Sequence, residues 1–529
     1  MSDMDDGRAI DRRSVLRSLG TVVATVSLSG CLSDTPEQST DTATTGDSLS
    51  VTITQGTAPD TLDPHNHRST PTENVVRQAY EGLLARDASG AVTERLATGY
   101  ERQEAGRVRF TLREDVSFHS GSTLTPADVV FSIRRIVDPS VGIESAQRDQ
   151  LSGITDAQAV DGEHAVDVLT EGPNPLVVNQ LATYCDIVEK QWVTESGEET
   201  VTQEMNGTGP FEQTAYEPNT RVAFEPFESY WGPTPGPTAL TIDAASEASV
   251  RVNSLLEGES DLVVNVPPQE VQRIESNDSA TLATAPSTRI LYVAMRSDVE
   301  PFDSQKFRQA MNYAVDLESI VEDILNGFGK GTGQPTLEEF VGFDDSIEPY
   351  PHNPDRAERL IEESGYSGAS VTLHTPQGRY LKDVEIAQAV VGMIDSLSNV
   401  SADLQQRETN ALIGELTDGD RTTMPHMYLI GWGNATFDAT KTLIPTLGCG
   451  EVLSSFCAES LDEEVQKSLQ TTDQSKRQEL LSAVNSNYHD MAPWIFLHQQ
   501  FSVYAVDQRL EWTARRDERI EAATIARSN

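Results

Sequence analysis

Apolar and polar positions begin to alternate at Leu49, where Leu-Ser-Val-Thr-Ile-Thr puts its apolar side chains on one side of an extended chain and predicts a strand. Gly56, Pro59 and Pro64 then end the strand and open a loop. Between Thr72 and Leu84 the apolar spacing becomes helical, and between Arg107 and Leu112 it alternates again before a turn at His119-Ser120-Gly121. Thr125-Pro126-Ala127-Asp128 predicts a helix start. Thr125 suits the cap, Pro126 the first helical position and Asp128 the positive end of the helix dipole, ahead of an apolar face of Val129, Val130, Ile133 and Ile136. The second half carries the same mixture: an amphipathic helix over 306–324, a helix over 354–364 stopped by Gly365, a strand over 369–375 and a helix over 384–397. No repeat of about twenty to fifty residues is present, which excludes solenoids and propellers and leaves a multi-lobed α/β body.

Upstream of Leu49 this patterning is missing. A weakly apolar stretch from Leu19 to Leu28 follows Arg12 and Arg13 and falls short of the roughly 20 apolar residues that span a bilayer, so it reads as a twin-arginine export signal. Leu28-Ser29-Gly30-Cys31 resembles the lipobox of prokaryotic lipoproteins, which makes Cys31 the expected lipid-attachment residue. Residues 33–48 are mostly Ser, Thr and Asp, with Pro36, Glu37, Gln38 and Gly46 and with Ala43 as the one aliphatic side chain, too polar to bury a core. The expected order is a signal and lipobox over 1–31, a flexible linker over 32–48, and a soluble body of roughly three domains.

Charge narrows the partners. The chain carries 39 basic against 83 acidic residues, a net charge of -44, and phosphates would be repelled, so nucleic acid is not expected as a partner. The basic residues are 32 Arg and 7 Lys, and the acids are dispersed, which suggests a halophilic surface. At molar salt the screening length is about 3 Å, so solute recognition must come from buried contacts. Cys449 and Cys457 enclose a short loop and either pair in an oxidising compartment or stand as independent thiols; Cys185 reads as a small buried residue. His65 and His67 could chelate a metal, but no carboxylate or thiol is spaced to complete the set, so a loop facing a cleft is the preferred reading and no metal or cofactor is expected. There is no Gly-x-Ser-x-Gly elbow, zinc helix or phosphate loop, and Gly327 to Gly333 reads as a flexible turn, so an enzyme is not expected.

Along the body stand, in order, Pro59-Asp-Thr-Leu-Asp-Pro64, Tyr80-Glu-Gly-Leu-Leu84, Phe110-Thr-Leu-Arg113, Val116-Ser-Phe-His-Ser-Gly121 and Leu124-Thr-Pro-Ala-Asp-Val129. Gly207-Thr-Gly-Pro-Phe211, Tyr230-Trp231, Glu257-Gly-Glu-Ser-Asp261 and Phe307-Arg-Gln-Ala-Met-Asn-Tyr-Ala-Val-Asp316 follow, then 357–366, Gly431-Trp432 and Asp490-Met-Ala-Pro493. Together these segments resemble the family 5 extracellular solute-binding proteins of ABC importers, the class that includes dipeptide, oligopeptide and nickel-complex receptors. The resemblance implies a two-lobed, periplasmic-binding-protein-like α/β fold with an extra inserted domain and a ligand cleft between the lobes. Domain I would comprise 49–81, 205–286 and 487–529, domain II 82–204 and domain III 287–486. It further implies a receptor that closes over a solute and docks on membrane permease subunits, and with the lipobox the expectation is a monomer anchored on the extracellular face. Most glycines and prolines in these segments have turn-forming readings, and Trp231 reads as a packing anchor.

In peptide-binding relatives a loop after the Gly-Trp pair carries an aspartate that pairs with the ligand amine. This chain has Ala435 at that place, flanked by Asn434 and Thr436, with Asp438 further on. Peptide stays the first expectation; a sugar, a metal complex or a sensing role are the alternatives. Trp432, Asn434, Thr436 and Asp438 are the expected ligand-facing residues, with Asn66 and His67 from the opposite lobe and Arg379 as a carboxylate partner.

Overall fold

Val51 and Ile53, the inward side chains of the first alternating segment, are essentially unexposed, and the strand they belong to, Ser50–Gln55, runs parallel between Ala239–Ala244 and Leu262–Val264. A computed structural model describes residues 48–528, so Arg12, Arg13 and Cys31 lie outside the described residues. Ser50–Gln55 belongs to a large mixed sheet whose order is Val400–Arg407, Ala369–Pro376, Met427–Gly433, Ala280–Met295, Trp494–Asp507, Leu262–Val264, Ser50–Gln55, Ala239–Ala244, Arg221–Pro226 and Phe211–Glu217. Gly329–Gly331 pairs with Trp494–Asp507 off this path.

Two long strands join the two parts of that sheet. Ala280–Pro286 pairs with Phe501–Asp507 on one side, and Ile290–Ala294 pairs with Trp494–Gln499 on the other. Between them residues 287–289 bulge, and such a bulge bends the strands where it falls. On the first side lies a core of Val51, Ile53, Phe211, Phe224, Ile242 and Tyr504. On the second lies the largest core, which includes Tyr292, Phe307, Val371, Leu429, Leu481 and Trp494. A third core, with Phe110, Phe118, Ile133, Val166 and Leu181, is built on the separate sheet Ala97–Glu104, Arg107–Leu112, Ala165–Thr170 and Ile154–Ala159. Below, the first lobe is the part carrying the first and third cores, and the second lobe is the part carrying the largest.

Core membership differs from the expected segment limits at two places. Val188, Val193 and Val201 pack with Val51 and Phe211 rather than with the third core, and Trp494–Leu497 packs in the second lobe although Tyr504 and Val506 of the same strand pack in the first. A strand that crosses between lobes belongs to both.

Local expectations hold where short-range chemistry decides. The helix Pro126–Val137 starts after Thr125, and the Asp128 carboxylate accepts the Thr125 N–H at 2.9 Å and the Lys190 N–H at 2.9 Å. Gly365, with φ +86°, ends the helix Pro354–Ser364. Two helices end earlier than expected, one through a tertiary contact and one through a local cap. The helix expected over 72–84 is Thr70–Val76; beyond it the chain turns so that the Ala79 carbonyl accepts the Gly209 N–H at 2.9 Å, and a β-carbon at Gly207 would lie 1.9 Å from that same oxygen. The helix expected over 306–324 stops at Ala314 because Asp316 turns its carboxylate to the Ser319 N–H at 3.1 Å and starts a new turn.

Cys449 and Cys457 form a disulfide, and Cys185 is free and buried. Closing so small a loop restricts the unfolded chain, and Cys449→Ser is expected to reduce stability by roughly 2–3 kcal/mol in denaturant unfolding.

Three imidazoles, His65, His119 and His498, are held near pKa 4, in each case chiefly by burial. Because the folded-state values lie below the unfolded value of about 6.5, their contribution to stability is complete above that pH and is lost as pH falls towards 4. The melting temperature is expected to be flat from pH 7 to 8 and to drop between pH 6.5 and 4. His498, whose two ring nitrogens lack partners, should account for part of the drop, so His498→Leu should flatten the profile.

Candidate functional site at the lobe contact

The strand Met427–Gly433 runs antiparallel to Ala280–Met295, with Gly431 opposite Leu291 and Gly433 opposite Arg289. Its side chains alternate in facing. Trp432 is half-buried and packs partly against the second-lobe core, and its indole N–H donates to the Lys441 carbonyl at 3.0 Å. On the other face the two glycines make room for large neighbours. A β-carbon at Gly431 would lie 2.7 Å from the Tyr380 ring, and one at Gly433 would lie 3.1 Å from Nη2 of Arg289. The Tyr380 hydroxyl donates to the Gly431 carbonyl at 3.2 Å, and the Arg379 guanidinium, exposed, lies 5.7 Å from the Tyr380 ring centre. Asp383 fixes this loop by accepting the N–H groups of Arg379 at 2.7 Å and Tyr380 at 3.0 Å.

Beyond Gly433 the loop is held by its own side chains. Asn434 accepts the Thr436 hydroxyl at 2.8 Å and donates to the Asp438 carbonyl at 2.8 Å and to Oγ1 of Thr442 at 2.9 Å. Asp438 is 0 % exposed. Its carboxylate takes both Nη groups of Arg477, the Nη2 contact at 2.8 Å, together with the Thr440 N–H at 3.0 Å and hydroxyl at 2.6 Å. Asn434, Thr436 and Asp438, expected to face a ligand, are therefore struts of the loop, because their side-chain polar atoms are matched by one another and by Thr440, Thr442 and Arg477 on the helices that follow. Asn66 is exposed, while His67 is buried with Nδ1 unpartnered. Both ring nitrogens of His65 are engaged, Nε2 with the Asp186 carbonyl at 2.6 Å and Nδ1 with Arg135 at 3.1 Å.

The loop meets the first lobe directly. The Thr183 hydroxyl shares its proton between the Asn179 carbonyl at 2.8 Å and the Ala435 carbonyl at 3.0 Å. Arg86 donates to the Thr436 carbonyl at 3.1 Å and lies 4.7 Å from the Phe437 ring centre, while its other donors hold the Gly90 carbonyl at 2.7 Å and the Thr183 hydroxyl at 3.3 Å. A β-carbon at Gly90 would fall 2.4 Å from the Phe437 ring, so the hairpin turn fits the loop only as glycine. The Lys441 ammonium donates to Oε1 of Gln150 at 2.6 Å; burial brings its pKa down to about 8, against the pull of Asp149. Sequence reasoning missed Arg86, Thr183, Gln150 and Lys441, since none stands in a motif.

Behind this contact the first lobe buries a matched charge cluster. Glu73 accepts Arg77 at 2.7 Å and Arg519 at 2.6 Å, and Arg77 lies 3.3 Å from Asp186. Burial pushes the Glu73 carboxyl up, but Arg519 and Arg77 bring it down to about 2. Beside the strand crossing, a cavity of about 220 Å³ is lined by Gly331, Thr332, Glu338 and Gln499, among others, and Gln499 donates to the Ser287 carbonyl at 2.7 Å.

Two lobes joined by a pair of crossing strands, with a loop of one docked on the other, form a clamp. Residues 91–454 match the model for bacterial extracellular solute-binding proteins, family 5 middle region. The chain belongs to this family. As a family 5 solute-binding protein it is a receptor and not an enzyme. It is 25% identical over 474 residues to the glutathione-binding protein GsiB of Pectobacterium atrosepticum, covering 87% of this chain and 90% of that one. It is 24% identical over 437 residues to the dipeptide-binding protein of Escherichia coli, covering 76% and 80%. Among solved structures, the substrate-binding protein CtaP of Listeria monocytogenes superposes with a TM-score of 0.81 at 21% identity, covering 91% of this chain and 100% of that one. The dipeptide-binding protein of a Pseudoalteromonas species in complex with Met-Leu gives 0.76 at 20%, covering 90% and 100%. These likenesses establish the two-lobed family 5 fold. Among the described residues, no helix is long and apolar enough to cross a membrane.

Proposed function

We propose that this family 5 protein is the extracellular, lipid-anchored receptor of an ABC importer, that it captures small peptides by lobe closure, and that it delivers them to permease subunits. The observation that carries the reading is the docking of residues 435–437 on Arg86 and Thr183 across the lobes, which are joined by a two-strand crossing with a bulge at 287–289. Receptors that clamp solute work in this way, and the relatives named for glutathione and dipeptides support a peptide. Arg379, exposed beside Tyr380 on the glycine face of the Met427–Gly433 strand, is the group for the peptide carboxylate. Trp432 supports that strand from its other face.

A thermal-shift screen of the mature protein in molar salt tests the reading, because a ligand that binds only the native state raises the melting temperature. Dipeptides, tripeptides, oligosaccharides and nickel chelates form the panel. A rise with peptides alone is expected; a rise only with sugars or chelates would remove the peptide, and the receptor would then serve another solute. Anchoring rests on Leu28-Ser29-Gly30-Cys31 behind Arg12-Arg13. Cys31→Ser is expected to move the protein from the membrane fraction to the medium, as read by immunoblotting, and retention in the membrane would contradict the anchor.

A further inference from the structure

Around the lobe contact the carboxylates are matched by arginines. Asp438 pairs with Arg477, Glu73 with Arg77 and Arg519, Asp149 with Arg68, and Glu339 with Arg516. Arg289 is different. Among the described residues its guanidinium has no ion pair and no hydrogen bond, although the chain carries 83 acidic residues to 39 basic ones. It lies flat on Gly433, such that a β-carbon there would be 3.1, 3.4 and 3.5 Å from Nη2, Cζ and Nη1. It is only partly buried, and a guanidinium with no partner keeps its N–H donors for an acceptor that reaches it.

Its position bears on recognition in two ways. Arg289 is the last residue of the bulge at the strand crossing, next to Thr288, whose carbonyl accepts the Asn434 N–H at 3.0 Å, so a group bound to it touches both the crossing and the docking loop. Gly433, on which it lies, shares a strand face with Gly431, the Tyr380 ring packs on Gly431, and the exposed Arg379 guanidinium lies 5.7 Å from that ring. Same-face positions on a strand are about 7 Å apart. Arg379 likewise has no carboxylate partner among the described residues. On the same loop Ala435 offers no charge, and its carbonyl is taken by Thr183. Arg289 and Arg379 therefore bring two arginines without a carboxylate partner among the described residues to the strand and loop beside Gly431 and Gly433.

We propose that Arg289 is a specificity-determining residue that binds an acidic group of the solute. The solute is then a small acidic peptide or peptide-like dicarboxylate, with one acidic group at Arg289 and the other at Arg379. This rests on the reading of the lobe contact as the solute site. Guanidinium and carboxylate match in shape and charge, and a fork of two parallel N–H donors survives molar salt better than a distant charge does, because it acts at contact.

Titration calorimetry of the mature protein in molar KCl tests the assignment with Ala-Glu, Ala-Gln, N-acetyl-Ala-Glu and glutarate. Ala-Glu is expected to bind at least about tenfold more tightly than Ala-Gln, and acetylation is expected to leave Ala-Glu affinity within about threefold. In Arg289→Gln the Glu-to-Gln affinity ratio should collapse to near one with no change in the melting temperature of the free protein. Gly433→Ala, which displaces the guanidinium without removing it, should reduce the ratio as well. Binding of glutarate but of no peptide, lost in Arg289→Gln, would remove the peptide reading and keep the role of Arg289. A wild-type ratio near one, or a ratio unchanged in Arg289→Gln, would overturn the proposal, as would the absence of binding by any acidic member.

Discussion

Asp438→Asn is expected to lower the unfolding free energy by about 3–5 kcal/mol, the cost of leaving a buried charge without its partner. Asp438 is 0 % exposed and Arg477 is 4 % exposed, so water cannot replace the lost carboxylate. An asparagine retains an oxygen for the Thr440 hydroxyl, but it cannot neutralise the guanidinium, whose remaining contact is from Nε to the Ser468 carbonyl at 3.2 Å. Urea unfolding in molar salt measures the loss. The double replacement Asp438→Leu with Arg477→Met should recover much of it, since an apolar pair of similar volume carries no desolvation cost. If Asp438→Asn left stability intact and abolished solute binding, Asp438 would be a ligand contact, as its place after the Gly-Trp pair suggests, and the strut assignment would be wrong.

Arg86→Ala is expected to weaken solute capture by about tenfold or more. Arg86 is buried and reaches the Gly90 and Thr436 carbonyls and the Thr183 hydroxyl, so it links both lobes through one side chain. Hydrogen bonds from a charged donor contribute roughly 1.5–3 kcal/mol each, and those that cross the lobes exist only when the lobes meet. Their loss lowers the closed population and so raises the apparent Kd, mainly through faster release. Arg86→Lys should recover only part, because one ammonium cannot hold the fork of acceptors. Stopped-flow dissociation of a fluorescent peptide gives the release rate. An unchanged rate in Arg86→Ala would mean that this contact does not hold the solute in.

The sequence made the short-range features legible. The alternation at Leu49 produces a strand, Thr125 with Asp128 starts a helix, and Gly365 ends one, each from chemistry within a few residues. The parallel neighbours of Ser50–Gln55 were hidden, because Ala239–Ala244 and Leu262–Val264 lie about two hundred residues downstream. Candidate-site residues divide in the same way. Ala435 is visible by its position after Trp432, and Gly431 and Gly433 by being glycines. Whether a polar side chain in that loop faces outward or inward depends on Arg477 and Thr442, on helices that follow it, and the alternation of Gly433, Asn434 and Asp438 alone does not decide this. Arg86 and Thr183 were invisible because carbonyl acceptors leave no mark in a sequence.

Small-angle X-ray scattering of the mature protein, with and without the peptide that most raises its melting temperature, tests capture by lobe closure most directly. Bound protein should scatter as the form in which residues 435–437 rest on Arg86 and Thr183, and free protein should show a larger radius of gyration that peptide brings down. Arg86→Ala should need more peptide to reach the same compact curve. Identical curves for free and saturated wild-type protein would contradict closure around the solute.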